Sequence, residues 1–68
     1  MNVLVNGEER ELEAGATVAS VVASLPGAPD GRGVAVAVDG LVVRRADWSS
    51  AALAPGARIE VVVAVQGG

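Results

Sequence analysis

The sequence has no cysteine, no histidine, no phenylalanine, no tyrosine and no lysine, and tryptophan occurs once in its 68 residues. Each absence removes a class of function. Without cysteine there are no disulfides and no thiolate nucleophile. Without histidine as well there is no imidazole base and no zinc site of the usual kind. Every positive charge is an arginine, so no glycine-rich loop ends in the lysine of a phosphate-binding motif. The arginine bias is what a GC-rich genome produces, yet it leaves the domain no side-chain amine through which to form chains of itself. The net charge of −3 and pI near 4.6 exclude the basic stripe that nucleic acid requires, and they disfavour an anionic membrane surface. No run approaches the ~18 apolar residues of a membrane span. The chain enters a strand pattern at once, without a charged and apolar leader, so the expected location is cytoplasmic.

What the sequence does hold is small aliphatic residues. Hydrophobic residues make up 51% of it, dominated by valine and alanine. Valine favours the pleated, half-buried surface of a sheet. A chain of this length buries only about 60% of its unfolded surface. It has room for one thin core and none for a deep substrate cavity.

Along the chain, Met1, Val3 and Val5 alternate with Asn2 and Leu4, and Asn6-Gly7 marks a hairpin. Glu9 to Glu13 reads as a polar edge strand with Leu12 turned in. Ala14-Gly15 breaks it, and Thr17 is placed to cap a helix. Val18, Val21, Val22 and Leu25 then form one apolar stripe, which Pro26-Gly27 ends. Ala28 to Gly33 reads as a loop. Gly33 to Val38 is a strand, Asp39-Gly40 a second hairpin, and Leu41 to Val43 its return. Asp47 to Leu53 suggests one irregular or 3₁₀ turn capped by Asp47, and Pro55-Gly56 a tight turn. Arg58 to Val65 is the longest strand, with Ile59, Val61, Val63 and Val65 on one side.

The resulting order is ββαββ(3₁₀)β. Its most apolar strand is the last, which belongs in the centre of the sheet, parallel to the first. This order implies an α+β, ubiquitin-like β-grasp: a mixed sheet of four to five strands packed on one helix. The domain is expected over 1–65, with 66–68 as a flexible C-terminal tail.

The side chains offer little chemistry. Glu8, Glu9, Glu11 and Glu13 splay to opposite faces of a strand, so they read as solvated charge and not as a metal cluster. Ser49-Ser50 has no base beside it. Trp48 reads as a satellite core residue closing the end of the sheet, although a binding aromatic is the other reading. Arg44-Arg45 fits either solubility at a strand end or a salt-bridging patch for a partner.

What remains is the carboxylate of Gly68. A carboxylate is a poor electrophile, because its charge repels nucleophiles and oxide leaves badly. Adenylation cures both faults, and a sulfur nucleophile can then displace the adenylate. Such a terminus must thread a narrow channel, and Gln66-Gly67-Gly68 suits that: glycine lacks Cβ and allows close backbone approach. Leu4, Val62 and Ala64 fall on the face opposite the core positions, where a single helix leaves them exposed. An apolar patch of this kind marks a partner site.

These pieces together resemble the ThiS family of thiamine-biosynthesis sulfur carriers along essentially the whole chain. The residues that carry the resemblance are Val3-Leu4-Val5-Asn6-Gly7-Glu8, Gly15-Ala16-Thr17-Val18, Val36-Ala37-Val38-Asp39-Gly40, Val42-Val43-Arg44-Arg45 and Trp48. The ending, from Pro55-Gly56-Ala57-Arg58 through Val65-Gln66-Gly67-Gly68, is the most specific. The resemblance implies a protein co-substrate that is not itself an enzyme and binds no cofactor. In such proteins an E1-like adenylyltransferase of the ThiF type uses ATP to activate the terminal glycine, here Gly68. Sulfur from a desulfurase system converts it to a thiocarboxylate, and a thiazole synthase of the ThiG type takes the sulfur. The small subunit of molybdopterin synthase, a ubiquitin-like protein modifier and a plain interaction module with an inert tail remain as alternatives.

Overall fold

In the computed structural model, residues 1–25 and 33–63 are described. The elements are β1 (Asn2–Val5), β2 (Glu8–Glu11), α1 (Val18–Ala23), β3 (Val34–Val38), β4 (Leu41–Val43), a 3₁₀ turn (Arg45–Asp47) and β5 (Arg58–Val63). They form a five-stranded sheet in the order β2-β1-β5-β3-β4. β5 is central, parallel to β1 and antiparallel to β3. This is the β-grasp arrangement expected from the order of elements. The expected helix end at Pro26-Gly27 and most of the expected loop after it lie outside the described residues.

Both hairpin tips adopt the left-handed geometry that a two-residue turn demands. Asn6 and Gly7 have φ of +51° and +83°, and Asp39 and Gly40 have +50° and +85°. These turns fix the register of each hairpin, placing Val5 opposite Glu8 and Val38 opposite Leu41.

The helix is short, so its ends decide whether it forms. Thr17 Oγ1 accepts from the Ser20 N–H (3.3 Å) and Ser20 Oγ accepts from the Thr17 N–H (3.0 Å), a reciprocal capping box. The first helical N–H groups, which no helix satisfies internally, find partners on the segment after the 3₁₀ turn. Val18 N–H donates to Ala51 O (3.0 Å) and Ala19 N–H to Trp48 O (3.1 Å). Thr17→Ala is expected to destabilise the domain by about 1–2 kcal/mol, measurable as a lowered urea midpoint with unchanged slope.

The core is a layer of small aliphatic side chains between helix and sheet. Val3, Val5, Val18, Val21, Val22, Val36, Ile59 and Val61 are all buried, joined by Trp48, Leu53 and Ala57. Leu25 and Leu12 are half-buried against it. Among the described residues no polar or charged side chain is buried.

The 3₁₀ turn differs from its expected form. It begins at Arg45, with Arg44 at the N-cap and no side-chain capping bond. Asp47 instead closes the turn and pairs with Arg44 at 3.7 Å. Trp48 accounts for the shift. Its indole is buried, and Nε1–H donates to Val43 O at 2.9 Å, drawing the chain tightly back to the end of β4.

Candidate functional site

β5 is the strand that leads toward the C-terminus, and its surroundings determine what it presents. Side chains of the central strand alternate between two faces. Ile59 and Val61 point to the helix and are buried, whereas Arg58, Glu60 and Val62 point away and are exposed. Register places Val62 beside Ala35, and Glu60 beside Ala37, which in turn lies beside Val42. Leu4 lies beside Arg58 on one side and Glu9 on the other.

The outer face therefore has two halves. Toward β2 it carries Glu9, Glu11 and the half-buried Leu4; toward β4 it carries Val62, Ala35, Ala37 and Val42. Val62 is 65% exposed and Val42 78%. Leu4 and Val62, expected from alternation to form one patch, are not brought together. Their positions along the sheet differ by the Arg58-to-Val62 distance, about 13 Å at ~3.3 Å per residue, with Glu60 between. Val42 takes the place expected of Leu4. It could have been found in the sequence: the Asp39-Gly40 hairpin sets Ala37 opposite Val42, and so puts both on the outer face. Ala64, Gln66, Gly67 and Gly68 lie outside the described residues, as does Val65.

Val63 departs from its expected core role. It lies on the helix side of the sheet, opposite Val34, yet is 46% exposed. β1 has already turned away at Asn6, and α1 ends at Ala23, so neither covers it. Leu41 is likewise on the helix side by register but 74% exposed, because it sits at a hairpin tip on the edge strand.

Two side chains grip the β5 backbone from the hairpin tips. On the β3 side, Asp39 Oδ1 accepts from the Arg58 N–H at 3.0 Å, while the Asp39 N–H donates to Arg58 O at 2.8 Å. On the β1 side, Asn6 Oδ1 accepts from the Val61 N–H at 2.8 Å and Asn6 Nδ2 donates to Val61 O at 3.2 Å.

Among the described residues no three acidic side chains converge to hold a metal ion, and no helix is long and apolar enough to cross a membrane. Among the described residues, β5 is a central strand paired on both edges, with an outer face that is apolar toward β4.

The model of the ThiS family matches residues 3–68. The crystal structure of a thiamine biosynthesis protein (ThiS) from Geobacter metallireducens is 24% identical, with a TM-score of 0.81 over 100% of both chains. That likeness establishes the fold. No curated protein matches.

Proposed function

Because the chain belongs to the ThiS family, we propose that it is a sulfur carrier whose reactive group is the carboxylate of Gly68. The observation that carries this reading is the family match, which runs through the final Gln66-Gly67-Gly68. The carboxylate attacks the α-phosphorus of ATP on an E1-like adenylyltransferase, releasing pyrophosphate and leaving an acyl-adenylate. A persulfide fed by a desulfurase system then displaces AMP, a thiol cleaves the S–S bond of the resulting acyl disulfide and is itself oxidised to a disulfide, and the thiocarboxylate so released gives its sulfur to a thiazole synthase in thiamine biosynthesis. The chain is a co-substrate in these steps, and ATP belongs to its partner's site. That division of labour suits a sequence with no thiol, imidazole or amine side chain.

The test is direct. The protein is incubated with ATP, an E1-like adenylyltransferase from the same organism and a sulfur source, and its intact mass is recorded. Replacement of one oxygen by sulfur is the expected result. An unmodified chain contradicts the proposal, and a covalent protein adduct points to a modifier instead. Co-purification with a thiazole synthase rather than a molybdopterin-forming subunit is the expected outcome for the pathway.

The apolar half of the outer face, Val62 with Ala35, Ala37 and Val42, is the docking surface in this reading; of the other residues assigned to it from sequence, Leu4 lies in the β2 half and Ala64 outside the described residues. A charge there must be desolvated on docking. Val62→Asp is expected to raise the KM for the carrier about tenfold. The domain's own stability should change by only about 0.5 kcal/mol, as for other exposed sites. Unchanged adenylation kinetics of the variant would rule this surface out.

A further inference from the structure

A parallel ladder between β1 and β5 runs through backbone groups only as far as Asn6, whose N–H donates to Ile59 O at 2.9 Å. The next rung would join the Val61 N–H to the Asn6 carbonyl. Asn6 is already in the left-handed conformation, with φ +51°, as the chain turns into β2. Its carboxamide takes over the rung, accepting from the Val61 N–H and donating to Val61 O. One planar amide thus satisfies both backbone groups of Val61 on the β1 side. Beyond it, β5 continues against β3 as far as the pairing of Val63 with Val34.

We propose that Asn6 is a positioning residue for C-terminal activation, fixing where the arm that carries Gly68 is rooted. The inference rests on the carrier reading above. From Val61 to Gly68 the chain can span at most about 23 Å at ~3.3 Å per residue. With the carboxamide in place, β5 is held on both edges up to Val61. Without it, the β1-side anchor retreats to Ile59, and the last residues are held on one edge alone. The backbone freedom released must be removed again each time the terminus enters an active site. Docking uses the β3 and β4 side of the outer face and is unaffected. The signature is therefore a lowered kcat with an unchanged KM.

Hairpin-tip chemistry allows a clean variant. Asn6→Gly keeps the left-handed turn, which glycine adopts without strain, and deletes the clamp. Asn6→Asp also tolerates the turn and keeps an acceptor for the Val61 N–H. Amide hydrogen exchange at Val61 and Val63, and steady-state adenylation with the cognate enzyme, are measured for wild type and both variants. For Asn6→Gly, exchange at Val61 should rise about fivefold. Its kcat should fall about fivefold, with KM within about twofold of wild type. Asn6→Asp should recover most of the Val61 protection and part of kcat. Wild-type exchange and kcat in Asn6→Gly would overturn the proposal, and so would an effect confined to KM. Failure of the wild-type chain to be adenylated at all would instead sink the carrier reading, and the exchange data would then judge the clamp alone.

Discussion

Deleting Gly68 alone is expected to abolish conversion of the C-terminus by the activating enzyme, lowering the rate at least about 100-fold. The truncated chain still ends in a glycine carboxylate of the same intrinsic reactivity, so the loss isolates geometry. One residue of extended chain is ~3.3 Å, and a misplacement of about 1 Å between reacting atoms already costs about 100-fold. The proposed docking face is unchanged by the deletion, so the truncated chain is expected to bind the enzyme still and act as a competitive inhibitor of the intact carrier. The urea midpoint should not move, since the deleted residue lies beyond β5, whose last described residue is Val63. Intact-mass measurement of thiocarboxylate formation and a competition assay check both halves. Efficient conversion of the shortened chain would mean that the enzyme follows the tail and not a fixed distance from the domain.

The largest effect on stability is expected at Trp48. It is the chain's one aromatic residue and is buried to 6% exposure. Its indole N–H is tied to Val43 O at 2.9 Å, and its own carbonyl receives the Ala19 N–H at 3.1 Å. It therefore joins the end of β4 to the start of α1. Trp48→Ala removes a large buried side chain from a core otherwise made of valine, alanine, leucine and isoleucine, whose short side chains cannot collapse into the space. The cost is about 3–5 kcal/mol. A domain of this size has a total stability of only about 3–10 kcal/mol, so a large fraction of the variant should be unfolded near 37 °C. Trp48→Phe retains most of the packing but leaves Val43 O without the indole donor; it should cost about 1–3 kcal/mol. Urea unfolding followed by circular dichroism separates the two. If the indole served only to bind a partner, Trp48→Ala would leave the midpoint in place.

Several of these features were legible in the residue pattern because they rest on local rules. Asn6-Gly7 and Asp39-Gly40 announce turns that require positive φ, and both appear. Thr17 caps the helix as its position suggested, with Ser20 completing the box. The stripe of Val18, Val21 and Val22 is buried as its spacing required. The run from Arg58 to Val63 is apolar enough to need cover on both edges, and it lies at the sheet's centre. Other features were not legible. Val63 reads by alternation as core, but alternation reports the side of the sheet and not whether anything covers it. Asp47 looks like a cap by residue type, yet the burial of Trp48 decided where the turn begins.

For the tail, the sequence by itself is what led to the proposed chemistry: with thiols, imidazoles and amines missing from every side chain, the carboxylate of Gly68 is the group we propose to react. It also determined the order of elements, because hairpin turns, helix stripe and strand alternation depend on neighbours a few residues apart. Only the tertiary structure decided how the last strand is presented. Contacts between residues 55 positions apart, such as Asn6 with Val61, depend on how strands align across the sheet. The outer face divides into acidic and apolar halves for the same reason. A residue pattern records which side a residue faces, whereas register across the sheet decides which side chains become neighbours.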